Sequence, residues 1–535
     1  MLSSIFEKKE SIIFAALSIA VFSFLAKILG VIRDAMFSHY FGASNIIDAY
    51  FAAFRIPDFI FNLLILGTFS VAFIPIFSEN ILKDHKEADK LASSILNLFL
   101  IIISAICLLS FVFIKPLVSV IAPGFTGETR ELCITFTKIL LLSPIFLTIS
   151  SVVSSVLNTH KKFFFTSLAP IFYNLSIILG VLVFYPMFGP SGIVWGVVLG
   201  SFLHFLIQIP QLFFAVNFKY QLVIETKAVL FRKFLKLYIP RIFSMGVNQI
   251  TLLIAGFFGS FLGAGSLAAF YYANNLQAMF LSLFAISLAM AVFPILSDLF
   301  NEKKLDKFKD VLAKTTVQIL FFIIPISILM LIERAQIVRL ILGIGQDTNF
   351  SFADTRLVSL TLGLFVISLF AQAIIPLFSR AFFALHNTII PVVIGLATLV
   401  VNLVCTYFFV KMFGEPGLAL GFSVAAIFNA LILIGELHHK IGHIHDDYLL
   451  INLLKISIAS IVSGAVAYLF LNLISDMVNM STYLGIFIQA SLSGVVSVAS
   501  YLLITYISGM EESRKIVYTI KNISKKILSS ESPIN

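Results

Sequence analysis

Charge is what this sequence has least of: Asp, Glu, Lys and Arg make up 12% of its 535 residues, where soluble domains carry about 25%. With 59% hydrophobic residues, such a chain has too little polar surface to face water, which excludes a soluble globular fold. Cysteine is scarce as well. Cys107, Cys133 and Cys405 lie in or beside apolar segments without the spacing of a metal site or a disulfide framework, and read as packing or lipid-facing residues. No glycine-rich phosphate loop, metal-ligand cluster or nucleophile motif occurs, so neither an enzyme nor a cofactor is expected.

What the chain has instead is apolar length, with a mean hydropathy of +1.04. Stretches of about 20 apolar residues, enough to cross the hydrocarbon core as helix, fall near 12–32, 46–78, 92–114, 132–157, 164–184, 192–216, 231–258, 266–299, 315–333, 356–385, 389–410, 417–437, 450–472 and 481–508. This predicts an all-α integral membrane fold of about fourteen spans. The first stretch follows Lys8 and Lys9 but runs past Ala26 without a small-residue cleavage site, so it reads as a retained helix and not as a signal peptide. The net charge of +9 is scattered through short loops, not gathered into a nucleic-acid patch. Every other loop is basic, with about 23 Lys and Arg on one side (Lys83, Lys90, Lys161, Lys219, Lys227, Lys304 and the tail Lys515, Lys521, Lys525 and Lys526 among them) against about 6 on the other. The positive-inside rule makes the rich side cytoplasmic and predicts both termini inside.

Two pairs of segments reveal an internal repeat. AFIPIFSE at 72–79 matches AVFPILSD at 291–298, an offset of 219, and MFGPSGIVWG at 187–196 matches MFGEPGLALG at 412–421, an offset of 225. The second pair keeps Gly189/Gly414, Gly192/Gly417 and Gly196/Gly421 in register. A duplicated unit of six helices follows. Because six is even, both copies enter the membrane the same way, as in the parallel repeats of transporters, with a substrate path expected between the halves. The division is 1–220 for one lobe, 221–442 for the other, and 443–535 for two further helices and a basic tail.

Charges also occur where hydrocarbon penalises them. Lys27, Arg33, Asp34, Asp48, Arg55 and Asp58 fall in or at the ends of the first two spans, where an unpaired charge costs several kcal/mol. Arg33 and Asp34 are sequential, about 100° apart on a helix, and are not expected to pair. Arg55 and Asp58 at i, i+3 form either a weak interfacial pair or part of a cationic lining for an anionic substrate, arginine offering a forked donor set that suits phosphate. Pro57 and Pro75 are expected to interrupt the second span. Lys138, Arg241 and Arg380 are further charges of the apolar segments, with Asn248 and Asn387 in the same regions, while His160 and His386 read as solvated loop residues. The 58 phenylalanines need no explanation beyond packing and lipid contact.

The run KILGVIRDAMFSHYFGAS, followed by DAYFAAFRIPDF and AFIPIFSE, with YYANNLQ at 271–277, resembles the MurJ (MviN) lipid II flippases of the multidrug/oligosaccharidyl-lipid/polysaccharide exporter superfamily. The resemblance extends over nearly all of the chain. It implies a bacterial inner-membrane protein that moves the undecaprenyl-pyrophosphate-linked peptidoglycan precursor to the periplasmic leaflet by alternating access, driven by membrane potential or an ion gradient. It also implies lipid II and membrane lipids as partners, the cell-wall synthesis machinery as the source of protein partners, and no nucleic acid. Arg33, Asp34, Asp48 and Arg55 match the family pattern, Lys27 stands where an arginine is usual, and Asn275 stands where the family has a further arginine. Another family arginine is replaced in the region of Phe61 and Asn62. The last two helices would form the groove that guides the lipid tail.

The substrate-binding set expected from these residues is Lys27, Arg33, Asp34, Asp48, Arg55 and Asn275. The rival readings are a cation-coupled drug or metabolite exporter, or a polysaccharide-lipid flippase, of the same superfamily. A membrane transferase acting on lipid carriers is a more distant rival and would need a catalytic acid or histidine.

Overall fold

The structure is a computed structural model. It describes residues 12–65, 69–81, 83–226, 229–345 and 347–530, the side chains at 12–16, 71, 237, 239–248, 520–521 and 523–530 excepted. Lys8, Lys9 and Lys227 lie outside the described residues, as do the side chains of Arg241, Asn248, Lys521, Lys525 and Lys526.

All regular structure among the described residues is helical. Among the described residues ten helices are long and apolar enough to cross a membrane, or eleven if Phe352–Val366 and Leu369–Ala384, bent by 46°, are one span. These correspond to predicted spans three to six and eight to fourteen. The segments expected as spans one, two and seven are helical as Ile12–Phe41, as three pieces between Asn45 and Ile81, and as Val229–Gly259. Large apolar side chains such as Ile461, Leu469, Val495 and Leu503 are exposed along the last two spanning helices, a surface that only hydrocarbon can cover.

The second span departs from the continuous helix expected. It breaks at Phe54 and again at Ile65, giving Asn45–Ala53, Arg55–Leu64 and Phe69–Ile81. Pro57 sits in the first turn of the middle piece, where its missing amide leaves the Ala53 carbonyl without a helical partner. Pro75 does not break its helix, contrary to expectation. A ladder of stacked rings spans its turn, Phe69 on Phe73 at 5.0 Å and Phe73 on Phe77 at 4.9 Å between centroids, and holds the backbone together around the one missing bond.

The chain forms two compact units, one of residues 1–271 with 346–354 and one of 272–345 with 355–535. The boundary differs from the 1–220, 221–442 and 443–535 division expected from the duplication, because Val229–Gly259 packs with Arg55–Leu64 and Phe69–Ile81 in the first unit. In that unit Asn349 caps the end of the first helix, its amide nitrogens donating to the carbonyls of His39 (2.9 Å) and Tyr40 (2.6 Å). In the second unit Leu305–Ile332 packs on Leu369–Ala384 and on Asp446–Ser475, which pairs with Tyr483–Ile507.

The matched glycines occupy matched geometry within their own units. Gly189 and Gly414 end helices at φ +61° and +67°, a conformation that costs a side-chain-bearing residue energy. A Cβ on Gly192 would collide with the Phe184 backbone carbonyl, and one on Gly417 with that of Phe409. Both contacts keep the offset of 225.

The connector at 217–226 has no regular structure, yet the helix His85–Val112 holds it extended. The Asn97 amide donates to the carbonyls of Gln221 (3.0 Å) and Val223 (2.9 Å) and accepts from the Tyr220 hydroxyl (2.6 Å). Lys219 N donates to Asp89 Oδ2, Gln221 N to Ser93 Oγ, and Glu225 N to Ser94 Oγ. Asn97→Ala removes three of these bonds and is expected to destabilise the protein by about 1–3 kcal/mol, read as a lower melting temperature in detergent. An unchanged melting temperature would show that the connector does not depend on this helix.

Candidate functional site

The charged cluster belongs to the first unit. Lys27, Arg33 and Asp34 come from Ile12–Phe41, Asp48 from Asn45–Ala53, and Arg55 and Asp58 from Arg55–Leu64. Arg33 does pair with Asp34, against expectation. Its Nε and Nη2 donate to Asp34 Oδ1 at 3.0 and 2.8 Å. The 100° between successive positions fixes only where the Cα–Cβ bonds point, and the long arginine stem reaches around the helix. Nη1 donates to Asn174 Oδ1 at 3.3 Å. Asn174 in turn donates to the carbonyls of Ala26 (3.3 Å) and Pro170 (3.1 Å), tying the first helix to Phe164–Leu179.

Arg55 is held on three sides. Its Nε donates to the Phe51 carbonyl at 3.1 Å, its Nη2 lies 3.5 Å from Asp58 Oδ2, and its guanidinium stands 4.7 Å from the centre of the Tyr271 ring. A cation over an aromatic face gains about 0.5–2 kcal/mol. Tyr173 is near enough to Arg33 and Asp58 to feel the charge of both. Lys27 is half-buried and makes no ion pair among the described residues. With Asp48 engaged elsewhere, the cluster holds three cations against two carboxylates.

Asp48 is turned to a structural task. It is 3% exposed, and its two oxygens accept from Gly265 N and Ala268 N, each at 2.7 Å. Those amides open the helix Ser266–Phe280, whose first turn lacks internal acceptors, so a carboxylate there both caps it and offsets its dipole. The position of the absent family arginine near Phe61 is neutral: the Asn62 amide donates to Gln249 Oε1 at 3.3 Å.

Asn275 belongs to the second unit and is half-buried. Its neighbour Asn274 accepts from Gln277, and Gln277 joins Gln372, which donates to it at 3.1 Å and to Ser368 at 2.9 Å. Ser368 donates to Ser423 at 2.9 Å. The second unit therefore presents a neutral amide network in this region.

Sequence reasoning missed Asn174 and Tyr173, although a lone asparagine amid the apolar residues of the fifth span was a usable signal. Among the other expected sites, Lys138 lies 5.6 Å from the centre of the Phe111 ring and Arg380 donates to the Pro376 carbonyl at 3.2 Å. His160 is half-buried instead of solvated, its Nδ1 2.9 Å from the Val156 carbonyl, because it follows directly on the helix Ser143–Thr159 and packs against Phe77.

A multi-pass helical membrane fold with paired charges in its first helices is that of a transporter. A multidrug transporter of the MATE family in the inward-facing conformation shares the fold alone, at TM-score 0.63 and 14% identity over 79% of this chain and 96% of that one. A solved lipid II flippase MurJ in an inward closed conformation matches at TM-score 0.77 and 28% identity, covering 93% of this chain and 99% of that one. The lipid II flippase MurJ of Thermosipho africanus is 30% identical over 461 residues, 86% of this chain and 91% of that protein. The probable lipid II flippase MurJ of Buchnera aphidicola is 27% identical over 501 residues, 92% and 97% of the two. The sequence profile of the family described as lipid II flippase MurJ matches residues 37–488, and this chain belongs to that family. It is a flippase and not an enzyme.

Asp48→Asn is expected to lower the melting temperature in detergent, by the equivalent of about 1.5–3 kcal/mol for weakened charge-assisted bonds. A variant as stable as the parent would deny Asp48 this capping task.

Proposed function

We propose that this chain moves lipid II from the cytoplasmic to the periplasmic leaflet of the bacterial inner membrane, and that Lys27, Arg33 and Arg55 draw its pyrophosphate. The observation that carries the residue assignment is the pairing of each arginine with a neighbouring carboxylate, Arg33 with Asp34 and Arg55 with Asp58. A buried cation left alone is costly, and each pair keeps its arginine ionised and positioned while no substrate is present. An arriving pyrophosphate exchanges with the carboxylates for the forked donors of Arg33 and Arg55. Asp34 and Asp58 reclaim them on release. The unpaired Lys27 supplies the excess positive charge that makes the exchange favour an anion.

In this reading the chain crosses the membrane fourteen times as two six-helix lobes, 1–220 and 221–442, with both termini cytoplasmic. The helices Asp446–Ser475 and Tyr483–Ile507 guide the isoprenoid tail. Each buried methylene of that tail is worth about 0.8 kcal/mol, so the tail stays in an apolar groove while the head group crosses. Asp48 supports the cluster by holding a helix, and Asn275 is a neutral member of the substrate-binding set, carried by the other unit.

In a strain depleted of its own flippase, the full chain is expected to restore access of a periplasmic lipid II-degrading enzyme to its substrate, and Arg33→Ala to abolish that rescue. Full rescue by Arg33→Ala would remove Arg33 from the site. Precursor export that continues without the protein, with cells newly sensitive to cationic compounds, would favour an exporter instead.

A further inference from the structure

A second buried acid lies far along the chain from this cluster. Glu333 follows the helix Leu305–Ile332 and precedes Arg334–Leu342. It is 5% exposed, and its Oε1 is wholly buried with no hydrogen-bond partner. Both carboxylate oxygens face Gly494 of Tyr483–Ile507, 3.9 Å from where a Cβ on that glycine would stand. Ser493 lies beside the carboxylate and interacts with it, but the hydrogen bonds of the donors nearby run to other acceptors. Ser493 Oγ donates to the Ala467 carbonyl at 3.0 Å, Gln489 Nε2 to the Leu471 carbonyl at 2.8 Å, and Gln336 Nε2 to Gln489 Oε1 at 3.2 Å. Glu333 does not cap the short helix with its side chain.

No counter-charge reaches it. The helix Tyr483–Ile507 contains no charged residue, and Asp446–Ser475 has none after Lys455. Leu305–Ile332 contributes Leu329 on the facing side, and its last charge is Lys314. On the short helix, the Arg334 guanidinium donates to the Leu331 carbonyl at 2.6 Å and lies against Gly363, while the Arg339 stem folds back on Gly343. None of the ion pairs among the described residues includes Glu333.

We propose that Glu333 is a proton-binding site through which H+ acts on the packing of Tyr483–Ile507. An ionised carboxylate buried without a counter-charge is costly, and taking up a proton removes that cost with the helices closed. Losing the proton favours admission of water between Glu333 and Gly494, which loosens Tyr483–Ile507 from the short helix. That helix belongs to the pair outside the duplication, so proton loading would regulate the tail guide. This deepens the flippase reading and rests on it for its transport consequence only.

The test uses the full chain in proteoliposomes with fluorescent lipid II, pH equal on both sides, beside Glu333→Gln, whose amide imitates the protonated acid. Wild-type flipping is expected to fall about tenfold per pH unit above its midpoint, whereas Glu333→Gln stays within about twofold across the same range. Infrared spectra should show a protonated carboxylic C=O stretch in the wild type that Glu333→Gln lacks, whether or not lipid II moves. Wild-type melting temperature should drop as pH rises and that of Glu333→Gln should not, since the acid loses its neutral form and the amide cannot. Superimposable pH profiles with no difference band would overturn the site, as would a dependence on Na+ instead of H+, or a Glu333→Gln protein that fails to fold. A band present without any flipping would retain the proton site and reject the flippase reading.

Discussion

An ionised group within hydrocarbon must bring its own partner, and much of the first unit is arranged around that requirement. Arg33 takes Asp34 and Asn174, Arg55 takes Asp58, the Phe51 carbonyl and the Tyr271 ring, and Asp48 takes two helix-opening amides. These contacts join helices that share little sequence proximity, from the first span to the fifth and from the second to the eighth. Polar bonds are suited to that task in a membrane, because apolar packing between helices gains little over packing against lipid tails. The paired charges are in this way also the groups that position the unit's helices.

The apolar spans and the matched glycine turns were legible in the sequence because both leave one-dimensional traces: a length of hydrocarbon, and a motif at a fixed offset. The match of Gly192 and Gly417 extends to the carbonyls they meet, Phe184 and Phe409, so spacing alone located a shared three-dimensional contact. What depends on side-chain reach was not legible. Angular position on a helical wheel argued against an Arg33–Asp34 pair, since a wheel records where a side chain starts and not where its end arrives. Asp48 looked like one more cavity charge because its amide partners lie more than two hundred residues away. The continuity of a helix through Pro75 depended on the ring ladder at Phe69, Phe73 and Phe77, which hydropathy averages into a generic apolar segment.

The comparisons separate scaffold from chemistry. A multidrug transporter shares the fold at 14% identity, so the helical arrangement carries no substrate by itself. The paired arginines of the first helices and the neutral network around Gln277 and Gln372 are features of this chain's own residues, and they make its two units electrostatically unlike each other. The two last helices, packed on Leu305–Ile332 within the second unit, are part of its compact body and not loose additions to it.

The connector at 217–226 has a bearing on how long the protein survives in a cell. Proteases cleave chains they can draw into an extended form with unoccupied backbone amides and carbonyls, and an extended stretch between helices offers that shape in advance. Here the amides of Lys219, Gln221 and Glu225 and the carbonyls of Gln221 and Val223 are already taken by Asp89, Ser93, Ser94 and Asn97. A scissile strand must first be peeled from its helix, so this segment of the first unit is shielded from being cut.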